Sequence, residues 1–205
     1  MVLSEMAITM DENQTEDAKK DTRQTDDPES AWDFCRAYTR WFGEQNSKDR
    51  SLCMGLIDVN GVGNLNQKHT NGFVDRLLAG VGQQLTVSVR KIESDARCFR
   101  VSGQTFALLL RDVDGQAAIV MMDRFRQAIT DSTFLLDGQK VKTKVNTATL
   151  EVGPDESVLD VLQRVEMTMT HAKEVGPDQN AIMMNGMVTV VEAQRENPTE
   201  NLVQL

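Results

Sequence analysis

The chain is short of several residue types, and each shortage removes a class of function. Its 205 residues include only two histidines, His69 and His171, far apart and without partnering cysteines, which argues against a His/Cys metal centre. The three cysteines, Cys35, Cys53 and Cys98, are odd in number, widely spaced and never arranged as Cys-x-x-Cys. They read as buried thiols in a reducing cytoplasm rather than as a disulfide framework. Positive charge is scarce too. The 22 Lys and Arg stand against 31 Asp and Glu, and a net charge of −9 disfavours nucleic acid or an anionic membrane as the main partner. No apolar run approaches the length of a bilayer span, and the beginning lacks the basic and apolar regions of a signal peptide. Neither a membrane span nor export is expected.

What is present suits one α/β domain of about 150 residues with extensions. Apolar residues make up 40% of the chain, and eleven methionines against one tyrosine give the core an adaptable, weakly aromatic character. Residues 1–28 are acidic, polar and without periodicity, and are expected to form a disordered leader. Residues 29–50 should hold an amphipathic helix and a linker. Ser30 and Asp33 provide a capping pair for a helix from Glu29 to Gln45. Trp32, Cys35, Tyr38 and Phe42 recur at helical spacing, widened by Phe34 and Trp41. Two readings stay open for this stripe. It packs on its own domain, or Trp32, Tyr38 and Trp41 form a face for a partner or a second copy.

A compact domain is expected over residues 51–185. Leu52 to Val59 is apolar nearly throughout, as a strand covered on both faces should be. Asn60 to Thr70 is too rich in Gly and Asn for regular helix throughout. Gly72 to Thr86 carries Phe73, Leu77, Leu78, Val81 and Leu85 at helical spacing, and Val87 to Ala96 is read as a connection. Phe99–Val101 and Thr105–Leu110 form a hairpin around Ser102-Gly103-Gln104-Thr105, where Gly103 is expected to supply a positive φ. A helix follows from Asp114 to Thr130, with Ala118, Met121, Met122, Phe125 and Ile129 on one face. Lys140 to Glu151 alternates Val and Thr with Lys and Asn, the pattern of a half-buried strand with one wet face. Ser157 caps a helix over Val158 to Val175, which Gly176-Pro177 stops. Ala181 to Met184 is a last core strand, and the pairs Met121-Met122 and Met183-Met184 are expected in the core. Residues 186–205 form an extension, with Met187 to Val191 as one further strand and a loose end. The element order is that of a mixed central sheet flanked by helices.

The strand ending Asp58-Val59-Asn60 and the hairpin turn Arg100-Val101-Ser102-Gly103-Gln104-Thr105-Phe106 resemble the heart of the GGDEF, or diguanylate cyclase, domain. There the strand ends in Asp-x-Asp and the turn reads Arg-Tyr-Gly-Gly-Asp-Glu-Phe. Ala172-Lys173 followed by Gly176 is similar to the family's Ala-Lys-x-x-Gly-Arg-Asn ending of the last helix. The opening Asp-x-Leu-Thr-Gly-Leu-x-Asn-Arg signature is absent, and only Asp27-Pro28 stands in its place. The resemblance implies a nucleotidyl-cyclase-like palm with an added N-terminal helix. Each family residue then falls on a position here. Asp58 matches the first metal-binding aspartate, while Asn66 and Asp75 match the pair that reads guanine. An amide and a carboxylate are chemically suited to that base's carbonyl and N–H edge. Gly63 replaces the phosphate-facing lysine, and Gln104 and Thr105 replace the two turn acids. Pro177 stands where an arginine meets the phosphates. The product-binding Arg-x-x-Asp is replaced by Glu93 and Ala96, with Asp95 one residue displaced.

The family joins two GTP molecules by attack of a 3′-hydroxyl on an α-phosphate, using two divalent ions held between the strand aspartate and the turn acid. Gln104 offers no charge for Mg²⁺, which prefers carboxylate, water and phosphate oxygens. The resemblance therefore implies a degenerate domain that is not an enzyme, requires no cofactor and binds GTP and Mg²⁺ weakly if it binds them at all. Its expected role is cytoplasmic, as a protein-interaction or regulatory module in cyclic di-GMP-related bacterial signalling. It would work with a protein partner or as a homodimer, without nucleic acid. A guanine-nucleotide receptor using Asn66 and Asp75 is the alternative, and a residual cyclase ranks last. Plainer readings stay open for each retained residue: Asp58 as a loop cap, Asn66 as a turn former, Asp75 as a solvated helix position.

Overall fold

A computed structural model describes residues 27–43, 51–91, 96–191 and 201–204. Strand β1 (Glu29–Ser30) leads directly into α1 (Ala31–Gly43), and β2 (Leu52–Val59) is buried along its whole length. After it come α2 (Val62–Lys68), α3 (Asn71–Arg90), β3 (Arg97–Arg100) and β4 (Thr105–Arg111). The chain continues through α4 (Gly115–Thr130), β5 (Ser132–Leu136), β6 (Gln139–Val141) and β7 (Val145–Glu151). Helix α5 (Val158–Val175), β8 (Asn180–Met184), β9 (Met187–Val191) and β10 (Asn201–Gln204) complete it.

Seven strands form one mixed sheet in the order β1-β3-β4-β2-β7-β8-β9, and β10-β5-β6 form a smaller one. Strand β2 is antiparallel to both β4 and β7, while β7 and β8 run parallel, joined by α5. Period-two alternation on the central strands sends side chains to two separate cores. Ile57, Phe106 and Leu108 face α3 and α4, meeting Phe73, Leu77, Val81, Met122 and Phe125. Met54, Leu56, Phe99 and Leu109 face α1 and α5, meeting Phe34, Tyr38, Trp41, Val161 and Val165. The architecture is the expected mixed sheet flanked by helices, with the N-terminal helix present.

The caps are local and appear where the sequence puts them. Ser30 and Asp33 exchange hydrogen bonds at the start of α1, and Ser157 accepts from Asp160 N at 3.2 Å. Thr70 and Asp114 cap α3 and α4 in the same way.

Asn60 to Thr70 is not helical throughout, as expected, but it contains a short helix, α2, which Gly61 opens with φ +74° immediately before the first helical residue and which ends at the extended His69. Several other expectations are corrected. Helix α3 continues to Arg90, so Val87 is not a connection; Val89 still reaches the core. Gly103 is not among the positive-φ glycines, and a Cβ there would meet nothing within 4 Å. Lys140 to Glu151 is not one half-wet strand. Its lysines lie in β6 and the irregular residues after it, and β7 is covered on both faces by α4 and α5. Strand β5 was not anticipated, being a short run immediately after a helix. Of the methionine pairs, Met122 and Met183 are buried, whereas Met184 is 38% exposed at the tip of a hairpin.

The ends also differ from expectation. Residues 1–26 of the expected leader lie outside the described residues. Asp27 accepts from Gln83 Nε2 at 3.1 Å, and Pro28 packs over Gly82 of α3. Strand β9 belongs to the main sheet through its pairing with β8, and β10 pairs parallel with β5 instead of hanging loose.

Candidate functional site

The carboxyl end of β2, the β3–β4 turn and the end of α5 meet at the ends of the central strands. They frame an open polar cleft of about 340 Å³, lined by Asp58, Asn60, Gly61, Gln104, Asn146, Lys173, Gly176 and Pro177. The antiparallel register sets Asp58 opposite Thr105, and Val59 N donates to the Gln104 carbonyl at 3.1 Å. The hairpin turn is closed by Arg100, whose guanidinium donates to the Gly103 carbonyl at 2.7 and 3.2 Å.

Asp58 is the chemical centre of this cleft, and both its carboxylate oxygens are engaged from within the chain. Lys173 Nζ lies 2.9 Å from Oδ2, Thr105 Oγ1 donates to Oδ2 at 3.1 Å, and Gln104 Nε2 donates to Oδ1 at 3.2 Å. The Asp58 side chain is only 6% exposed, so these three donors replace the water it would otherwise hold. The ammonium supplies its countercharge. Lys173 comes from the last turn of α5, where a cation also meets the negative end of the helix dipole.

This donor set does not fit a pair of magnesium ions. It offers one carboxylate, an amide turned to donate, a hydroxyl, and a fixed positive charge in the space beside the carboxylate. Among the described residues no group of three or more His, Cys, Asp or Glu could hold a metal.

The far wall of the cleft is a pinned loop. Asn146, a fully buried amide on β7, donates to the Gly176 carbonyl at 2.9 Å and accepts from Gln179 N at 3.0 Å. Asn60 Oδ1 accepts from Asp178 N at 3.1 Å. The Asp178 carboxylate, carried on a residue with φ +68°, is paired with Arg126 of α4 and accepts from Thr130 Oγ1 at 3.2 Å. Arg126 is 2% exposed and its other partner is Asp123. Buried on both sides, this ion pair holds the loop that Pro177 presents to the cleft.

The other anticipated site residues lie elsewhere. Asn66 is exposed on α2 and Asp75 exposed on α3, and neither lines the cleft. Gly63, in place of the lysine, is exposed on α2. His69 stacks on Phe73 with ring centroids 4.2 Å apart. Glu93 and Asp95 lie outside the described residues. Of the proposed interaction face, Tyr38 and Trp41 are buried in the domain's own core at 3% and 5% exposure; only Trp32, at 43%, is exposed. The buried stripe of α1 is Phe34, Tyr38 and Trp41, because Phe99 of β3 and the start of α5 lie on that side. Tyr38 Oη donates to the Glu156 carbonyl at 2.9 Å, tying α1 to the loop before α5.

Sequence reasoning did not assign Lys173 to Asp58, nor foresee Asn146 or the Arg126–Asp178 pair. An asparagine in an otherwise Val/Thr strand and an arginine on an apolar helix face were the available signals.

The model of the family described as "Diguanylate cyclase, GGDEF domain" matches residues 37–179. Among solved structures, the chain is similar to the diguanylate cyclase SiaD of Pseudomonas aeruginosa, crystallised in complex with its activator SiaC. That match has 15% identity and a TM-score of 0.72, covering 87% of this chain and 65% of SiaD. It is similar to the GGDEF domain of DgcB from Caulobacter crescentus in complex with c-di-GMP, at 14% identity and TM-score 0.68, covering 80% and 96% of the two chains. The GGDEF domain of FimX from Pseudomonas aeruginosa matches at 17% identity and TM-score 0.66, covering 76% and 93%. An uncharacterized membrane protein of Staphylococcus epidermidis is 22% identical over 159 residues, 76% of this chain and 43% of that protein. The chain thus spans less than half of that relative's length. No helix among the described residues is long and apolar enough to cross a membrane.

Proposed function

This chain belongs to the GGDEF family, and from that premise we propose that it is a catalytically inactive, cytoplasmic member acting as a regulatory protein-interaction module in cyclic di-GMP signalling. The observation that carries this reading is the Asp58 carboxylate, both of whose oxygens already meet donors from the chain itself. The family's reaction needs divalent ions between that aspartate and a turn acid. Here the turn contributes an amide and a hydroxyl, and Lys173 supplies the positive charge beside the aspartate. With Pro177 and Gly63 in place of two cations, little remains to clamp a triphosphate. SiaD, a relative of the same fold, works with a protein activator, which supports a partner-dependent role here.

Product analysis tests the proposal. Purified protein incubated with GTP and Mg²⁺ or Mn²⁺ is expected to yield no cyclic di-GMP. Turnover that disappears in Asp58→Ala would refute it.

A second reading, a guanine-nucleotide receptor, rests on the match of Asn66 and Asp75 to the family's guanine-reading pair; both are solvent-exposed, outside the cleft around Asp58. Binding would then be governed by the base. GTP, GDP and GMP should bind within about tenfold of one another, about 1.4 kcal/mol. ATP should be rejected, because its 6-amino group and unprotonated N1 mismatch the pair. Asp75→Ala should erase the preference for guanine. Calorimetry without heat from any guanine nucleotide would leave the interaction module alone.

A further inference from the structure

Strand β9 forms one outer edge of the seven-stranded sheet, and among the described residues nothing pairs with its outer side. Edge strands in stable monomers usually carry charge, proline or a bulge that blocks further pairing. Met187-Val188-Thr189-Val190-Val191 has none of these. Three of the exposed large apolar residues, Met184, Met187 and Val191, cluster on this hairpin, with Met187 70% exposed.

The hairpin geometry determines which groups face outward. The Asn185-Gly186 turn, with φ of +50° and +76°, is a two-residue loop that makes Met184 and Met187 a hydrogen-bonded pair. Alternation then directs the N–H and C=O of Met187, Thr189 and Val191 toward β8, and those of Val188 and Val190 away from the sheet. The two outward residues flank Thr189 symmetrically. An antiparallel copy centred on Thr189 would set Val188 against the partner's Val190 and Val190 against the partner's Val188, with both N–H and both C=O groups matched. Thr189 would face its own copy as a non-hydrogen-bonded pair, with Met187 against Val191 on either side. No like charges within the strand oppose each other in this register.

We propose that β9 is a homodimerisation edge that pairs antiparallel with β9 of a second copy about a twofold axis through Thr189. The strand is complementary to itself in hydrogen bonding and in its exposed side chains, which is what an isologous contact requires. One strand pair and its flanking methionines make a small interface, so the dimer is weak and concentration-dependent. The inference stands apart from the reading of the cleft, since β9 contributes no residue to it.

The test uses the full chain in four forms: unmodified, Thr189→Asp, Thr189→Cys and Met187→Cys. Sedimentation over a concentration series reaching about 0.5 mM should show a monomer–dimer equilibrium. Thr189→Asp places like charges directly opposite and should weaken the dimer at least tenfold while the unfolding midpoint is kept. Non-hydrogen-bonded partners have Cα atoms about 4.5 Å apart, within disulfide reach, so Thr189→Cys should form a covalent dimer under mild oxidation. Met187→Cys, which faces Val191 of the partner copy, should not. A protein that stays monomeric, a dimer indifferent to Thr189→Asp, or equal cross-linking at positions 187 and 189 would overturn the proposal.

Discussion

Lys173 Nζ sits 2.9 Å from Asp58 Oδ2 and provides from within the fold the positive charge that the strand-end carboxylate needs. Removing the ammonium should leave Asp58 buried with two neutral donors. Lys173→Met is expected to destabilise the protein by about 1–2 kcal/mol, discounted because the lysine is 45% exposed. Lys173→Arg should restore most of that loss in urea unfolding. Gln104→Glu, which brings back one turn acid, should compete for the same ammonium and leave cyclase activity undetectable.

The aromatic residues of α1 should separate into two classes. Trp41→Ala empties a buried position and should cost about 3–5 kcal/mol. Trp32→Ala, at an exposed site, should stay within about 0.5 kcal/mol. Equal thermal stability of the two variants would mean that α1 does not pack on its own domain.

The thiols supply a pH dependence. Burial raises Cys98 and Cys53 to about 12 from an ordinary value of 9.0; Glu29 adds to the rise at Cys98, and Glu151 and Asp114 add to it at Cys53. The unfolded chain therefore releases these protons at lower pH than the folded one. Their contribution to stability is complete below about pH 9 and is lost as pH rises toward 12. Unfolding midpoints should fall across that window, and less steeply in a Cys53→Ala, Cys98→Ala double variant. At pH 8, thiol reagents should modify the partly exposed Cys35 first and the other two only on unfolding.

Two glycines should respond oppositely. A Cβ on Gly82 would lie 2.9 Å from Pro28 Cγ and 3.0 Å from Phe106 Cε1, neither of which can swing away as a flexible chain end would. Gly82→Ala should cost about 1–3 kcal/mol despite the better helix propensity of alanine. Gly103→Ala should be nearly neutral, because its surroundings are open and its φ is not positive. Thermal melts of the two variants check this directly.

Sequence alone determined what is set by short-range chemistry. The capping residues Ser30 and Ser157, the stripe from Phe73 to Leu85, the stop at Gly176-Pro177 and the frame of β2 with its hairpin turn depend on neighbours within a few positions. Period and propensity report those reliably. Tertiary structure decided what depends on partners distant in sequence. The pattern of α1 allowed several faces, and only the placement of Phe99 and α5 selected Phe34, Tyr38 and Trp41 for burial. Strand β7 reads as half-wet until helices cover both its sides. That Lys173 meets Asp58 follows only from the crossing of α5 over the sheet. Hydrophobic periodicity carries no information on which distant charge will arrive, because that is fixed by topology, not by the local chain.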